Sequence, residues 1–244
     1  MSGLIFEVCA NSIRSAIAAQ EGGAHRIELC SELHSGGLTP SAATIKLTLQ
    51  QLKIPVFVLI RPRAGDFLYS ELEFEIMKED IQYSKSCGAF GVVFGILNSD
   101  AKIDVERCSE LVNIAKPMQS TFHRAFDRVM VFDSALEDII KTGAHRILTS
   151  GLSEKALNGK NTIKTLVEKS NNRIEIMAGG GINPTNVAEI ISYTGVKEIH
   201  ASCSVYLNTK MARMNKFTTS ELTYKNTVTD VALVKKMKEE IEKK

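Results

Sequence analysis

Several things are scarce in this sequence, and each scarcity removes a class of protein. Charge of one sign is scarce: 30 Lys and Arg stand against 28 Asp and Glu, a formal net charge of +2 over 244 residues. No basic footprint for nucleic acid or an anionic membrane follows from that balance. Long apolar runs are missing, and none approaches the roughly 20 residues of a membrane span. Cysteine is sparse, five in all, odd in number and without Cys-x-x-Cys spacing. A chain of this size needs no disulfide staples, so reduced thiols in a cytoplasm are expected. Met1-Ser2-Gly3 has no basic n-region and Glu7 interrupts the first apolar run, so no secretory leader is expected.

What is present is 44% hydrophobic residues, enough for a large core and suited to one α/β barrel. Short β-branched runs alternate with helical patterns. Strands are expected at Leu4–Cys9, His25–Cys30, Pro55–Leu59, Gly91–Gly95, Met118–Phe122, His145–Thr149, Arg173–Met177 and Glu198–His200. Helices are expected between them, the first capped by Asn11 or Ser12, with others starting at Ser41 and Ser70. Roughly eight strand–helix units predict a single TIM (β/α)₈ barrel spanning residues 1–244. Residues 203–226 read as polar and irregular, and Val231–Ile241 as a closing helix. A repeat supports the barrel: Gly23-Ala24-His25-Arg26-Ile27 recurs verbatim as Gly143-Ala144-His145-Arg146-Ile147. The two copies lie four units apart, each at a helix-to-strand turn, and the glycine is a helix C-cap signal. The repeat is read as structural, with no function for its histidines.

In such a barrel the site lies at the C-terminal strand ends. The first two strands end in Glu-x-Cys, Glu7 with Cys9 and Glu28 with Cys30, and period-2 alternation puts each pair on one face. The third strand runs into Ile60-Arg61-Pro62-Arg63-Ala64-Gly65-Asp66-Phe67. Alternation points Arg61 and Arg63 to a common face if the strand extends that far. The fifth strand adds Thr121 and His123, with Arg124 and Asp127 in its loop; the eighth adds His200 and Ser202. Cys87, Cys108, Cys203, Met77 and Met177 read as packing residues.

Three readings compete. In one, Arg61, Arg63, Arg124, the Gly179-Gly180-Gly181 turn before a helix, and Ser202 bind a small anionic or phosphorylated metabolite. Glu28 or His123 then serves as general acid/base. The glycine spacing does not fit a dinucleotide fingerprint, and no organic cofactor is indicated. In another, Cys9 and Cys30 on adjacent strands, ~4.8 Å apart, are soft ligands for Cu(I). In the third, the polar strand ends satisfy one another and the role is structural. The partner is a copper ion or a small anion, with neither nucleic acid nor membrane, and a homo-oligomer is left open.

Taken together, Glu7-Val8-Cys9, Glu28-Leu29-Cys30, Gly36-Gly37-Leu38-Thr39-Pro40-Ser41, the Arg61–Phe67 stretch, Phe122-His123-Arg124-Ala125-Phe126-Asp127, Leu148-Thr149-Ser150-Gly151 and Gly179-Gly180-Gly181-Ile182 resemble the copper homeostasis protein CutC family. The resemblance runs in order from residue 5 to about residue 205. It implies a TIM barrel, a cytoplasmic location and a role in copper handling. It also implies that Cys9 and Cys30 match the two cysteines suggested there as Cu(I) ligands. Ala64 departs from a usual glycine and Ser35 from a usual glutamate.

Overall fold

The structure, a computed structural model, describes residues 3–213 and 225–243. Eight parallel strands close into a barrel in sequence order: β1 (Ile5–Ala10), β2 (Arg26–Leu29), β3 (Val56–Leu59), β4 (Gly91–Phe94), β5 (Gln119–Phe122), β6 (Arg146–Thr149), β7 (Glu175–Gly179) and β8 (Glu198–Ala201). Between them run α1 (Ile13–Glu21), α2 (Ala42–Gln51), α3 (Glu71–Ser86), α4 (Val105–Ala115), α5 (Phe132–Thr142), α6 (Lys160–Ser170) and α7 (Val187–Thr194). The expected (β/α)₈ barrel is the fold.

Local chemistry starts and stops these helices. Ser12 and Ser41 accept the N–H groups of Ser15 and Thr44, and Ser70 with Glu73 forms a complete capping box, which satisfies donors a helix leaves orphaned. Gly143 ends α5 in the left-handed region, where glycine has no steric penalty.

The strands alternate as the period of two requires. Phe6, Val8, Ile27, Leu29, Val56 and Val58 join the helices in one large core. Inside the barrel sits a smaller cluster of Cys9, Cys30, Phe57, Leu59 and Val93. The pentapeptide repeat has a clear structural role. His25 Nδ1 accepts the Phe6 N–H at 2.9 Å and His145 Nδ1 accepts the Ser120 N–H at 3.1 Å. Each histidine's own N–H returns to the carbonyl of that same residue.

The segment after β8 differs from expectation. Ser204–Asn208 (β9) and Lys225–Thr229 (β10) pair as an antiparallel ribbon rather than lying irregular. Val205 and Val228 are register partners in it, and Val228 is buried. The polar composition hid that short apolar spine. Residues 214–224 of the segment lie outside the described residues. The last helix, α8 (Val231–Glu242), is capped by Asp230 and packs Val234, Met237 and Ile241 inward. No helix among the described residues is long and apolar enough to cross a membrane.

Candidate functional site

Two layers of polar side chains fill the barrel, because inward-facing residues recur every second position. In the lower layer, toward the strand N-termini, Arg26 Nε donates to Glu7 Oε2 at 2.5 Å and its Nη2 to Glu198. Arg146 Nε donates to Glu198 at 3.0 Å and its other nitrogens to Thr121 and Gln119. Both guanidiniums lie over the Phe57 ring, 4.8 and 5.0 Å from its centroid. All four charged groups are buried. Arg26, with two carboxylates, is raised against the burial that opposes its charge, whereas burial and the neighbouring Arg26 lower Arg146. The sequence reading missed Arg26, Arg146 and Glu198. The signal was there, since each stands two residues before or opposite a group that had been singled out.

One step up each strand is the upper layer: Cys9, Glu28, His123 and His200. Together they border a cavity of about 480 Å³ at the C-terminal mouth, also lined by Arg61, Phe67, Arg124, Gly180, Gly181 and Ser202. Cys9 Sγ lies 3.5 Å from Cys30 Sγ, and both cysteines are buried. One ligand atom each from Cys9, Glu28 and His200 falls within 4.8 Å of the others. His200 Nδ1 sits 2.8 Å from Glu7 Oε1, and its Nε2 is 3.3 Å from Glu28. The Glu7 carboxylate on Nδ1 orients the ring and leaves Nε2 toward Glu28.

The electrostatics are mixed. Burial raises Glu28, with Glu7 adding and His200 opposing, and its pKa reaches about 7. Burial would raise Glu7 as well, but Arg26, His200 and Arg146 outweigh it and bring the pKa down to about 2. Burial opposes charge on His200, yet Glu28 and Glu7 prevail and the net shift is upward. The Cys9 thiol is raised well above its ordinary value by the hydrogen bond with Cys30, by burial and by the nearby carboxylates.

The remaining expected residues divide. Arg61 and His123 line the cavity and are buried. Arg124 lines it too, its Nε on Asp127 and its Nη2 on Ser150, both at 2.7 Å. Ser202 borders it and contacts Ser204. Arg63 turns away. Its Nε pairs with Glu73 at 2.6 Å and its Nη2 with Asp66 at 2.9 Å, outside the mouth. The reason is local: β3 ends at Leu59, so two-residue alternation does not carry through Pro62. Gly179 is the last residue of β7 rather than part of the turn. A Cβ there would lie 2.5 Å from Leu148 Cδ1, so it serves close packing. The turn itself is Gly180–Gly181, and α7 begins only at Val187, which separates these glycines from the helix N-terminus. His123, expected as a general acid/base, lies in the cavity wall. Its Nδ1 accepts the Ala125 N–H at 3.2 Å, so the ring proton is on Nε2. Burial and the charge of Arg61 lower its pKa to about 3.

A closed parallel barrel with a thiol, a carboxyl and an imidazole beside a cavity at its C-terminal mouth defines a TIM-barrel protein with a polar pocket at its strand ends. The CutC family model matches residues 4–205, and the chain belongs to the CutC family. It is 45% identical over 241 residues to the copper homeostasis protein cutC homolog of Homo sapiens, covering 96% of this chain and 88% of that protein. It is 50% identical over 198 residues to a CutC family protein of Vibrio vulnificus, covering 80% and 79%. A solved CutC structure from Streptococcus agalactiae superposes with a TM-score of 0.77 at 38% identity, covering 81% of this chain and 97% of that one. A thiamine phosphate pyrophosphorylase from Pyrococcus furiosus, TM-score 0.61 at 16% identity over 98% and 96% of the chains, shares the fold alone.

Proposed function

We propose that this protein binds Cu(I) at the mouth of its barrel through Cys9 and Cys30, as a cytoplasmic copper-handling protein. The observation that carries this reading is the 3.5 Å Cys9–Cys30 sulfur contact. Cys9 is shared with the Glu28–His200 group. Thiolates are the soft donors that select Cu(I), while carboxylate and imidazole offer a third contact. The copper homeostasis role printed for the relatives supports it. A reducing compartment belongs to the same proposal, because the ligands must remain thiols. Cys9 is protonated without metal, so uptake releases protons and tightens as pH rises.

The test is Cu(I) titration under reducing conditions against a competing chelator. The wild-type protein takes up Cu(I) stoichiometrically, and the Cys9→Ser/Cys30→Ser double variant does not. Unchanged uptake by the double variant ends the proposal.

A second reading is an enzyme acting on a small anionic metabolite, and Glu28 favours it. A buried carboxyl titrating near about 7 is suited to give and take a proton at neutral pH. In that reading His123 donates a hydrogen bond and does not abstract a proton.

A further inference from the structure

Buried guanidiniums in this barrel come with carboxylates, with one exception. Arg26 has Glu7 and Glu198, and Arg146 has Glu198. Arg61 is 5% exposed, yet among the described residues no carboxylate reaches it at ion-pair distance. Its Nη1 donates to the carbonyls of Ser35 and Gly37 at 2.7 and 2.8 Å, and its Nη2 to that of Gly65 at 3.0 Å. Carbonyl dipoles solvate a cation without neutralising it. A buried, unneutralised charge is expensive and calls for an anion.

His123 makes the same demand with a different group. It too is 5% exposed. With Nδ1 accepting from Ala125, Nε2 carries the proton, and Nε2 is buried without an acceptor. An unmade hydrogen bond of that kind is costly. Phe67 packs on the ring at 4.9 Å between centroids. Arg61 lies over the other part of this arrangement, its Cζ 5.1 Å from the Phe67 centroid. One aromatic ring thus holds both groups, and both line the same cavity. A volume of about 480 Å³ suits a small metabolite. Arg124, whose charge is shared with Asp127, borders the cavity as well.

We propose that the mouth cavity binds a small organic anion, a carboxylate or a phosphate ester, whose anionic group accepts the His123 Nε2–H and neutralises Arg61. This site uses the wall after β3 and β5, whereas the thiols belong to β1 and to the residue after β2. It holds whether or not Glu28 turns a substrate over, and it goes beyond copper binding.

The test uses the metal-free full chain with three probes: inorganic phosphate, malonate and neutral malonamide. Calorimetry and thermal shift show saturable binding of phosphate or malonate and none of malonamide. The preferred anion tells a phosphate ligand from a carboxylate. His123→Phe keeps a ring but removes the donor, and weakens the anion by at least about tenfold, the loss of one hydrogen bond to a charged group. That variant still takes up Cu(I) as the wild type does, and the Cys9→Ser/Cys30→Ser variant still binds the anion. The two proposals therefore fail separately. Arg61 also holds three loop carbonyls, so a second measurement replaces its substitution. In the ¹⁵N-histidine-labelled wild type, the His123 Nε2–H resonance moves as the anion saturates. Binding of neither anion overturns the proposal, as does a resonance that stays in place at saturation.

Discussion

Arg26 and Arg146 converge on one oxygen of one carboxylate, Oε2 of Glu198. They are the fourth residues of the two copies of the repeated pentapeptide, so the repeat places two cations symmetrically about a single anion. Glu198 and Glu7 together offset the charge of both guanidiniums.

Removing that anion leaves Arg146 buried without its ion-pair partner, while Arg26 keeps Glu7. Glu198→Gln keeps the shape and some hydrogen bonding, yet lowers unfolding free energy by about 3–5 kcal/mol, the usual effect of breaking a buried pair. Urea denaturation at neutral pH measures it. A loss below about 1 kcal/mol, the range of surface pairs, would show that water reaches this layer.

Gly95 makes room for His123. A Cβ at Gly95 would sit 2.6 Å from His123 Nδ1 and 3.1 Å from Ala125 Cβ. Gly95→Ala is therefore destabilising by about 1–3 kcal/mol through overpacking. The His123 ring resonances move with it, which a purely local backbone effect would not produce. Stability equal to wild type would show that the ring has space to retreat.

Acid sensitivity follows from His123 itself. Its folded pKa is about 3 against an ordinary 6.5. Between those values the unfolded chain binds a proton that the folded chain refuses. The contribution to stability is complete above pH 6.5 and declines as pH falls toward 3. The slope is about 1.4 kcal/mol per pH unit. The stability of wild type relative to His123→Phe therefore drops by roughly 2 kcal/mol between about pH 7 and about pH 5. Urea melts of both proteins at the two pH values check this, and a constant gap would mean that the histidine takes up its proton as readily in the folded chain as in the unfolded one.

Much of this was legible in the residues. Apolar strand runs, the helical patterns between them and the repeated turn predicted the barrel. Alternation placed Glu7, Cys9, Glu28 and Cys30 on the inner face, where they lie. Alternation failed at Arg63 because it is a property of extended backbone, and that backbone ends at Leu59. The protonated nitrogen of His123 was not legible, since the Ala125 N–H that fixes the tautomer depends on the turn after β5. The charged lower layer was overlooked for a different reason. Arg26, Arg146 and Glu198 satisfy one another across the barrel, and no local pattern records a contact between residues 52 positions apart or more.

That ionic layer has a consequence for traffic. With Phe57 and two guanidiniums wedged below the thiols, the barrel is stoppered from beneath, and nothing bound at the top can drain through. A ligand held at the top would then enter and leave by one and the same opening.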